Sequence, residues 1–355
     1  MKILYCAMKY DYGAPARGGY SLEHYNFYES LRRYQNHRHE IFYFPFDEIM
    51  REVGQDEMNR RLLAAVRDHK PDFCFFVLFK DEITKATLAK LKQKTSTITY
   101  NWFCDDHWRF HNFSKHYAPL FHFISTTDSQ APAKYRAIGY TNVIKTQWAC
   151  SPAVYKPYPV LKTYTASFLG QPYGDRPRLI AALTKAGIPV TCYGPGWPAG
   201  RVWGEEMVKK FSASKINLNF AKSSGRDWKG LAKVFLNKTA GCYRLNPISS
   251  WLDELRSYRD RVVIKQIKTR NFEVPGSGGF LLTDAADNVD EYYTDGKEIV
   301  IFKNISDLIE KARYYASHDA EREAIAKAGY ERTLREHTYE KRFDDIFKAA
   351  GMSKS

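Results

Sequence analysis

The 355-residue sequence predicts an α/β protein of two tandem Rossmann-like domains, and three observations carry that prediction. Short apolar runs alternate with amphipathic stretches from the first residue onward, the alternation stops at a cluster of prolines, and it then begins again. One hydrophobic core rarely serves more than about 250–300 residues, so a chain of this length is expected to divide. Strands covered on both faces read as continuous apolar runs, and helices between them cover a parallel sheet from both sides.

In the first half the strand-like runs are 2–7, 39–44, 72–78, 97–103, 121–125 and 143–146, with helix-like stretches at 21–34, 58–69, 85–93 and 130–138. Pro152, Pro157 and Pro159 place a linker next, because proline fixes φ and lacks the backbone donor that regular structure needs. The second series has strands at 165–169, 190–193, 216–220, 279–283 and 298–302, and helices at 178–186, 205–212, 271–274 and 305–316. From 320 to 350 apolar residues recur at helical spacing, so the tail reads as helix. The expected division is 1–155, 156–335, and a C-terminal helix, 336–355, that packs back on the first domain. Residues 222–262 interrupt the rhythm as a basic insertion.

Composition narrows the function classes. The chain is 44% hydrophobic and 26% charged with no low-complexity tract, so all of it is expected to fold. The opening apolar run is far too short for a signal-peptide core, no transmembrane segment is expected, and a cytoplasmic location follows. Six scattered cysteines without a Cys-x-x-Cys pair read as reduced, mainly buried thiols, and no metal site is expected. Serine-hydrolase elbows and His-Glu-x-x-His are missing, which sets aside hydrolase and metalloprotease readings. Net charge is +14, and residues 222–270 hold twelve basic side chains against four acidic ones. That excess suits a phosphate-rich ligand, an anionic membrane surface, a nucleic acid or a solvated basic face.

The run from Gln266 to Asp284 combines a polar helix start, glycines 276, 278 and 279, and an apolar strand. Backbone amides in such a turn favour a diphosphate, Arg270 and Lys268 would add charge, and Glu273 would accept a pair of ribose hydroxyls. The competing reading is a tight helix-to-strand connection whose glycines relieve crowding.

Several further motifs fall in register with a known family. They are Ser167-Phe-Leu-Gly-Gln-Pro-Tyr-Gly-Asp-Arg176, Tyr193-Gly-Pro-Gly-Trp197, Ser214-Lys-Ile-Asn-Leu-Asn-Phe220, Arg270-Asn-Phe-Glu-Val-Pro-Gly276, Ala328-Gly-Tyr-Glu-Arg332 and Glu336-His-Thr-Tyr339. Together they resemble the spore-maturation CgeB-like glycosyltransferases across roughly 160–345. The resemblance implies a GT-B fold with an interdomain cleft, a nucleotide-diphosphate sugar as donor in the second domain, no other cofactor, no obligatory metal, and an acceptor served by the first domain. Related group-1 glycosyltransferases carry Glu-x7-Glu, whose second carboxylate holds the ribose; Glu273 matches that position, whereas Lys265 stands at the first.

By the same resemblance Arg176 is the cation on the diphosphate, the alternative being a helix-start surface arginine, and Gly170, with Gly278 of the glycine cluster, allows close backbone approach or is a plain turn glycine. Tyr193 and Trp197 form one wall of a nucleobase slot or, alternatively, a hydrophobic plug. Gly18 and Gly19, between the first strand and first helix, resemble the loop that faces the donor phosphates across the cleft, the alternative being a flexible surface loop. They make neither a dinucleotide fingerprint nor a P-loop. Asp105, Asp106 and His107 follow a strand end, where open α/β sheets place ligands, and are the candidates for a base or an acceptor-orienting group. Asp106 leads them, and the alternative is a helix cap beside a surface histidine.

The acceptor reads as a cell-surface or spore glycan, a protein or a modified nucleic-acid base. The basic stretch favours an anionic partner and a peripheral membrane contact. Lys265 supports a second class of reading, a non-catalytic nucleotide-sugar scaffold or sensor. Nucleic-acid binding alone is a third.

Overall fold

The computed structural model of the chain describes every residue except 16–18, 223–227, 240–241 and 353–355, and only the backbone of 229, 237–239, 242 and 243. The chain folds into two compact units, Met1–Gln147 with Tyr339–Ser355, and Trp148–Thr338.

The first unit is built on β1 (Lys2–Ala7), β2 (Glu40–Pro45), β3 (Phe73–Phe76), β4 (Ile98–Phe103), β5 (Phe123–Thr126) and β6 (Val143–Lys145). They form one parallel sheet in the order β2-β1-β3-β4-β5-β6. Alternate residues face opposite layers. Leu4, Cys6, Cys74 and Phe76 pack with Leu62 and Val66 of helix Phe46–His69 and with Leu88 and Leu91 of helix Lys85–Lys94. On the other face Phe75 and Trp102 meet Phe27, while Phe73 and Phe75 meet Phe347 and Phe343 of the C-terminal helix Tyr339–Ala349.

The second unit has β7 (Tyr164–Leu169), β8 (Val190–Tyr193), β9 (Ser214–Asn219), the hairpin β10 (Leu236–Thr239) and β11 (Cys242–Leu245), then β12 (Leu281–Asp284) and β13 (Val300–Phe302). Its main sheet is parallel, ordered β13-β12-β9-β7-β8. Phe168, Leu218 and Leu282 pack with Ile180 and Leu183 of helix Arg176–Lys185 and with Leu308 and Ala312 of helix Ile305–Ser317. Each sheet reverses its strand order once, between β1 and β3 and between β7 and β9. Open α/β sheets place ligands at the carboxyl ends of the strands flanking such a reversal.

Three elements differ from the sequence reading, each for a physical reason. Helix Phe46–His69 begins before the predicted 58–69, because Gly54 at φ +79° interrupts both its backbone and its apolar periodicity. The insertion is regular rather than irregular: helix Trp228–Phe235, the β10–β11 hairpin and helix Trp251–Val263 follow in turn. The tail is two helices, Asp319–Glu336 in the second unit and Tyr339–Ala349 in the first, broken where His337 buries its ring among Phe272, Tyr292 and Tyr293.

The proline run packs on the second unit. The backbone N–H of Tyr158 donates to Ser212 Oγ at 3.1 Å, and the Pro157 ring lies against Gly278. Cys6, Cys74, Cys104, Cys150 and Cys192 are free thiols, and burial pushes the pKa of each up. Among the described residues no helix is long and apolar enough to cross a membrane.

Candidate active site

In the second unit a buried polar network seats helix Arg270–Gly276 on the sheet. Asn219 of β9 donates to Asn271 Oδ1 at 2.9 Å and to Thr283 Oγ1 of β12 at 3.0 Å. Asn217 donates to the carbonyls of Phe211 and Phe280, and its Oδ1 accepts from Ser167 of β7. Buried amides bonded on several sides hold one arrangement, since any shift leaves a polar group without a partner. The result aims Arg270 at the carboxyl end of β7, where its Nε donates to the Leu169 carbonyl at 3.3 Å. Its guanidinium pairs with Glu273 one turn along, and the Tyr155 hydroxyl donates to the other carboxylate oxygen of Glu273 at 2.8 Å. Burial lowers the Arg270 pKa, Tyr155 opposes this and the charge of Arg201 adds to it.

Beside it opens a cavity of about 460 Å³ at the carboxyl ends of β9, β12 and β13. Among the described residues, Arg176, Arg178, Lys222, Lys265 and Lys303 line it together with two carboxylates, Asp175 and Asp284. Lys222 pairs with Asp175 at 3.2 Å and Lys265 with Asp284 at 3.1 Å, so the lining retains an excess of positive charge. Arg176 opens helix Arg176–Lys185 and donates to the carbonyls of Gln171, Phe220 and Lys222 at 3.0, 3.0 and 3.2 Å. Its Nε is buried without a partner. Burial lowers its pKa, Asp284 and Tyr173 resist, and Arg270 adds to the lowering, so the two arginines share one electrostatic environment.

Next to these cations two turns are stitched together. The Gly170 N–H donates to the Tyr193 carbonyl at 2.9 Å, and the Trp197 indole N–H donates to the Gly170 carbonyl at 2.7 Å. A Cβ on Gly194 would sit 2.5 Å from the Gly170 oxygen, a separation that only glycine permits. Tyr193 is buried, with its hydroxyl bonded to that of Tyr164.

In the first unit the carboxyl ends of β1 and β4 gather acids. Glu23, at the start of the helical segment that follows β1, has its pKa pushed up to about 7, mainly by burial, with Asp11 and Asp105 adding to the shift and its bond to Ser21 opposing it. Asp106 is fully buried, accepts from the Tyr135 hydroxyl at 2.9 Å, and is pushed up to about 6, again mainly by burial. His107 is buried, while Asp105 is half-buried and its carbonyl accepts from the N–H groups of Trp108 and Arg109. The loop after β1 is held at its base, where the N–H groups of Lys9 and Tyr10 donate to the carboxylate of Asp47. Gly19 lies in that loop at φ +100°. Gly18 lies outside the described residues.

With this geometry in place, the family described as "Glycosyl transferase-like" matches residues 176–348, a span that takes in Arg176, the cavity and helix Arg270–Gly276. Spore protein CgeB of Bacillus subtilis is 22% identical over 289 residues, covering 80% of this chain and 84% of that protein. By this match and its likeness to spore protein CgeB, the chain is similar to the CgeB-like glycosyltransferases. Its two units form a GT-B fold. A sucrose-phosphate synthase from Thermosynechococcus elongatus matches all of both chains with a TM-score of 0.64 at 9% identity. Anabaena Alr3699/HepE, solved in complex with UDP, matches 99% of this chain and 100% of its own with a TM-score of 0.59 at 11% identity.

The second unit thus brings Arg176, Gly170, Tyr193, Trp197, Arg270 and Glu273 to one edge of its sheet. Lys268 precedes that helix, its N–H donating to Asn271 Oδ1. Gly278 does not join them: it follows the helix at the amino end of β12, at φ +69°, where a Cβ would stand 3.0 Å from the Pro157 ring. Glu273 is fully buried beneath Arg270 and Tyr155, so ribose hydroxyls reach it only if one of those side chains moves. Asp106 points into the first unit's interior toward Tyr135. Sequence reasoning missed Glu23, Tyr155 and Arg201. Glu23 lacks a local signature, because its setting arises from segments distant in sequence. Tyr155 was hidden in the proline run.

Proposed function

We propose that this chain moves a sugar from a nucleoside diphosphate donor, bound by its second unit, to a hydroxyl of an acceptor, without a metal. The observation that carries the reading is the cavity lined, among the described residues, by five cationic side chains against two carboxylates, close to Arg270 at the carboxyl edge of the sheet. As the bond from the anomeric carbon to the phosphate oxygen breaks, its electron pair stays on that oxygen and one further negative charge grows on the leaving diphosphate. Fixed cations in a partly dry site stabilise that charge without reorganising. Arg176 and Arg270 supply what a divalent ion would otherwise supply, and Glu273 keeps the Arg270 fork aimed. The Anabaena relative has been solved with UDP and with UDP-glucose, which supports a uridine nucleotide as the donor carrier here. The first unit serves the acceptor. Glu23 and Asp105 hold its hydroxyl, and Glu23, titrating near neutrality, takes the proton as the new C–O bond forms.

Thermal-shift titration with UDP-, GDP-, dTDP- and CMP-linked sugars tests this directly. One family of nucleotides is expected to stabilise the chain, to do so equally in EDTA, and to bind about 10- to 100-fold more weakly to Arg176→Ala and Glu273→Ala, the usual loss for a charged hydrogen bond. Were no nucleotide to raise the melting temperature, the donor site would be wrong. The Lys265–Asp284 pair, at the position of the related enzymes' first glutamate, favours a second reading as a nucleotide-sugar sensor. Tight binding with no donor hydrolysis and no transfer would select it.

A further inference from the structure

The segment that interrupts the second unit's strand–helix rhythm carries a surface unlike the rest of the chain. Residues 228–263 are about a tenth of the sequence, yet they hold eight of the fifteen large apolar side chains exposed among the described residues. Trp228, Leu245, Ile248 and Leu252 are 75%, 73%, 77% and 68% exposed, and Leu231, Leu236, Leu255 and Val263 join them. The module does not need these side chains for its own packing. Val234 is buried, Phe235 meets Trp251 edge-on at 5.1 Å, and the Trp251 indole donates to the Asn246 carbonyl at 3.0 Å. These inward contacts do not use the exposed apolar side chains.

Charge accompanies that face. On helix Trp251–Val263, Leu252, Arg256, Arg259 and Val263 fall at i, i+4, i+7 and i+11, one stripe, with Leu255 alongside. All five are exposed. Lys233 and Arg244 are exposed on the preceding helix and hairpin. Asp253 pairs loosely with Arg256 at 3.7 Å and Asp260 closely with Arg259 at 2.7 Å, but 228–263 holds seven basic residues against three acidic. Leucine, isoleucine and tryptophan interleaved with arginine and lysine make the pattern of a surface that seats apolar side chains at the acyl boundary while cations meet headgroups.

We infer that residues 228–263 form a docking surface for an anionic lipid bilayer, through Trp228, Leu245, Ile248 and Leu252 with Arg256 and Arg259 beside them. A second copy of the chain fits less well, since a twofold interface would bring this basic surface against itself. A nucleic acid would leave the leucines and isoleucine facing phosphate. The surface is independent of the donor reading, because none of its described residues lines the cavity.

Flotation of the full chain with vesicles of phosphatidylcholine, alone or with roughly a third phosphatidylglycerol, tests the inference. Only the anionic vesicles should carry the protein, and binding should weaken with salt. Each of Arg256→Glu and Arg259→Glu should weaken partitioning about fivefold or more, the equivalent of about 1 kcal/mol per surface charge. Ile248→Asp combined with Leu252→Asp should abolish flotation at an unchanged melting temperature and an unchanged nucleotide-induced thermal shift. Brominated lipid should quench tryptophan emission in the native chain and less in Trp228→Phe. No flotation, flotation indifferent to lipid charge, or equal flotation of the aspartate variant would overturn it. So would a dimer that the aspartate variant dissolves, or oligonucleotide binding, in a chain that ignores vesicles.

Discussion

Glu23 shows how much a single side chain in this fold depends on its surroundings. Its carboxyl titrates at about 7 because burial removes water from the charged form and because Asp11 and Asp105 lie close enough to repel a further negative charge. Asp106, at about 6, is held up by the same cause. A raised carboxyl pKa means that the folded state keeps a proton the unfolded chain has lost. Between the ordinary carboxylate range and about pH 7 the native state therefore binds more protons, and stability falls as pH rises through that window, levelling off above it. Glu23→Gln should flatten part of that slope, measurable as a smaller loss of melting temperature between about pH 5 and pH 8. In transfer assays the native chain should gain rate up to a limb near 7, and Glu23→Gln should lose the limb together with about 10²- to 10⁴-fold in rate. An unchanged limb would remove Glu23 from the chemistry. The sequence could not disclose this residue, since its neighbours come from the β1 and β4 ends and only folding brings them together. Arg270 and Glu273 were legible because three residues on a helix suffice to join them.

At the scale of elements, helix Arg270–Gly276 is held at both ends by different means. Asn219 seats its start through a hydrogen bond to Asn271, and close packing fixes its end. A Cβ on Gly276 would lie 2.2 Å from Cys150 Sγ. Gly276→Ala is therefore expected to cost about 1–3 kcal/mol as overpacking, read by denaturant unfolding, and to tilt Arg270 enough to weaken nucleotide binding. Adding Cys150→Ala should recover most of both losses, and failure to recover would mean that the glycine is needed for something other than room. The sequence reading left the glycine cluster open between phosphate binding and relief of crowding. The contacts at Gly276, Gly278 and Gly279 are crowded ones, with Cys150, Pro157 and Asn217 respectively. Strands were the readily legible elements, since those buried on both faces have to be apolar throughout. The β10–β11 hairpin escaped notice because Asn237, Lys238 and Thr239 give it no apolar alternation. The early start of helix Phe46–His69 was hidden by Gly54.

For the molecule as a whole, the chain leaves the first unit at Gln147, builds the second, and returns at Tyr339 to finish the first. In the second unit the Cys150 N–H donates to the His337 carbonyl at 2.8 Å, and in the first the Arg342 Nε donates to the Gln147 carbonyl at 3.0 Å. The outgoing and returning strands of the crossing are thus each tied down on their own side. The returning helix is a structural part of the first unit, since Tyr339, Phe343, Ile346 and Phe347 are all buried and Tyr34 donates to Asp344 at 2.6 Å. Burying four such side chains contributes at most about 6–12 kcal/mol, as large as the whole stability of an ordinary domain. A chain ending at Thr338 should therefore lose the first unit's cooperative unfolding and expose the sheet face that carries Phe73, Phe75 and Trp102, binding a hydrophobic dye. The second unit is complete without that helix, so the truncated chain should still bind nucleotide with near-native affinity. Loss of nucleotide binding together with the first unit would instead show that donor recognition depends on residues before Trp148, and would move the donor site out of the second unit alone.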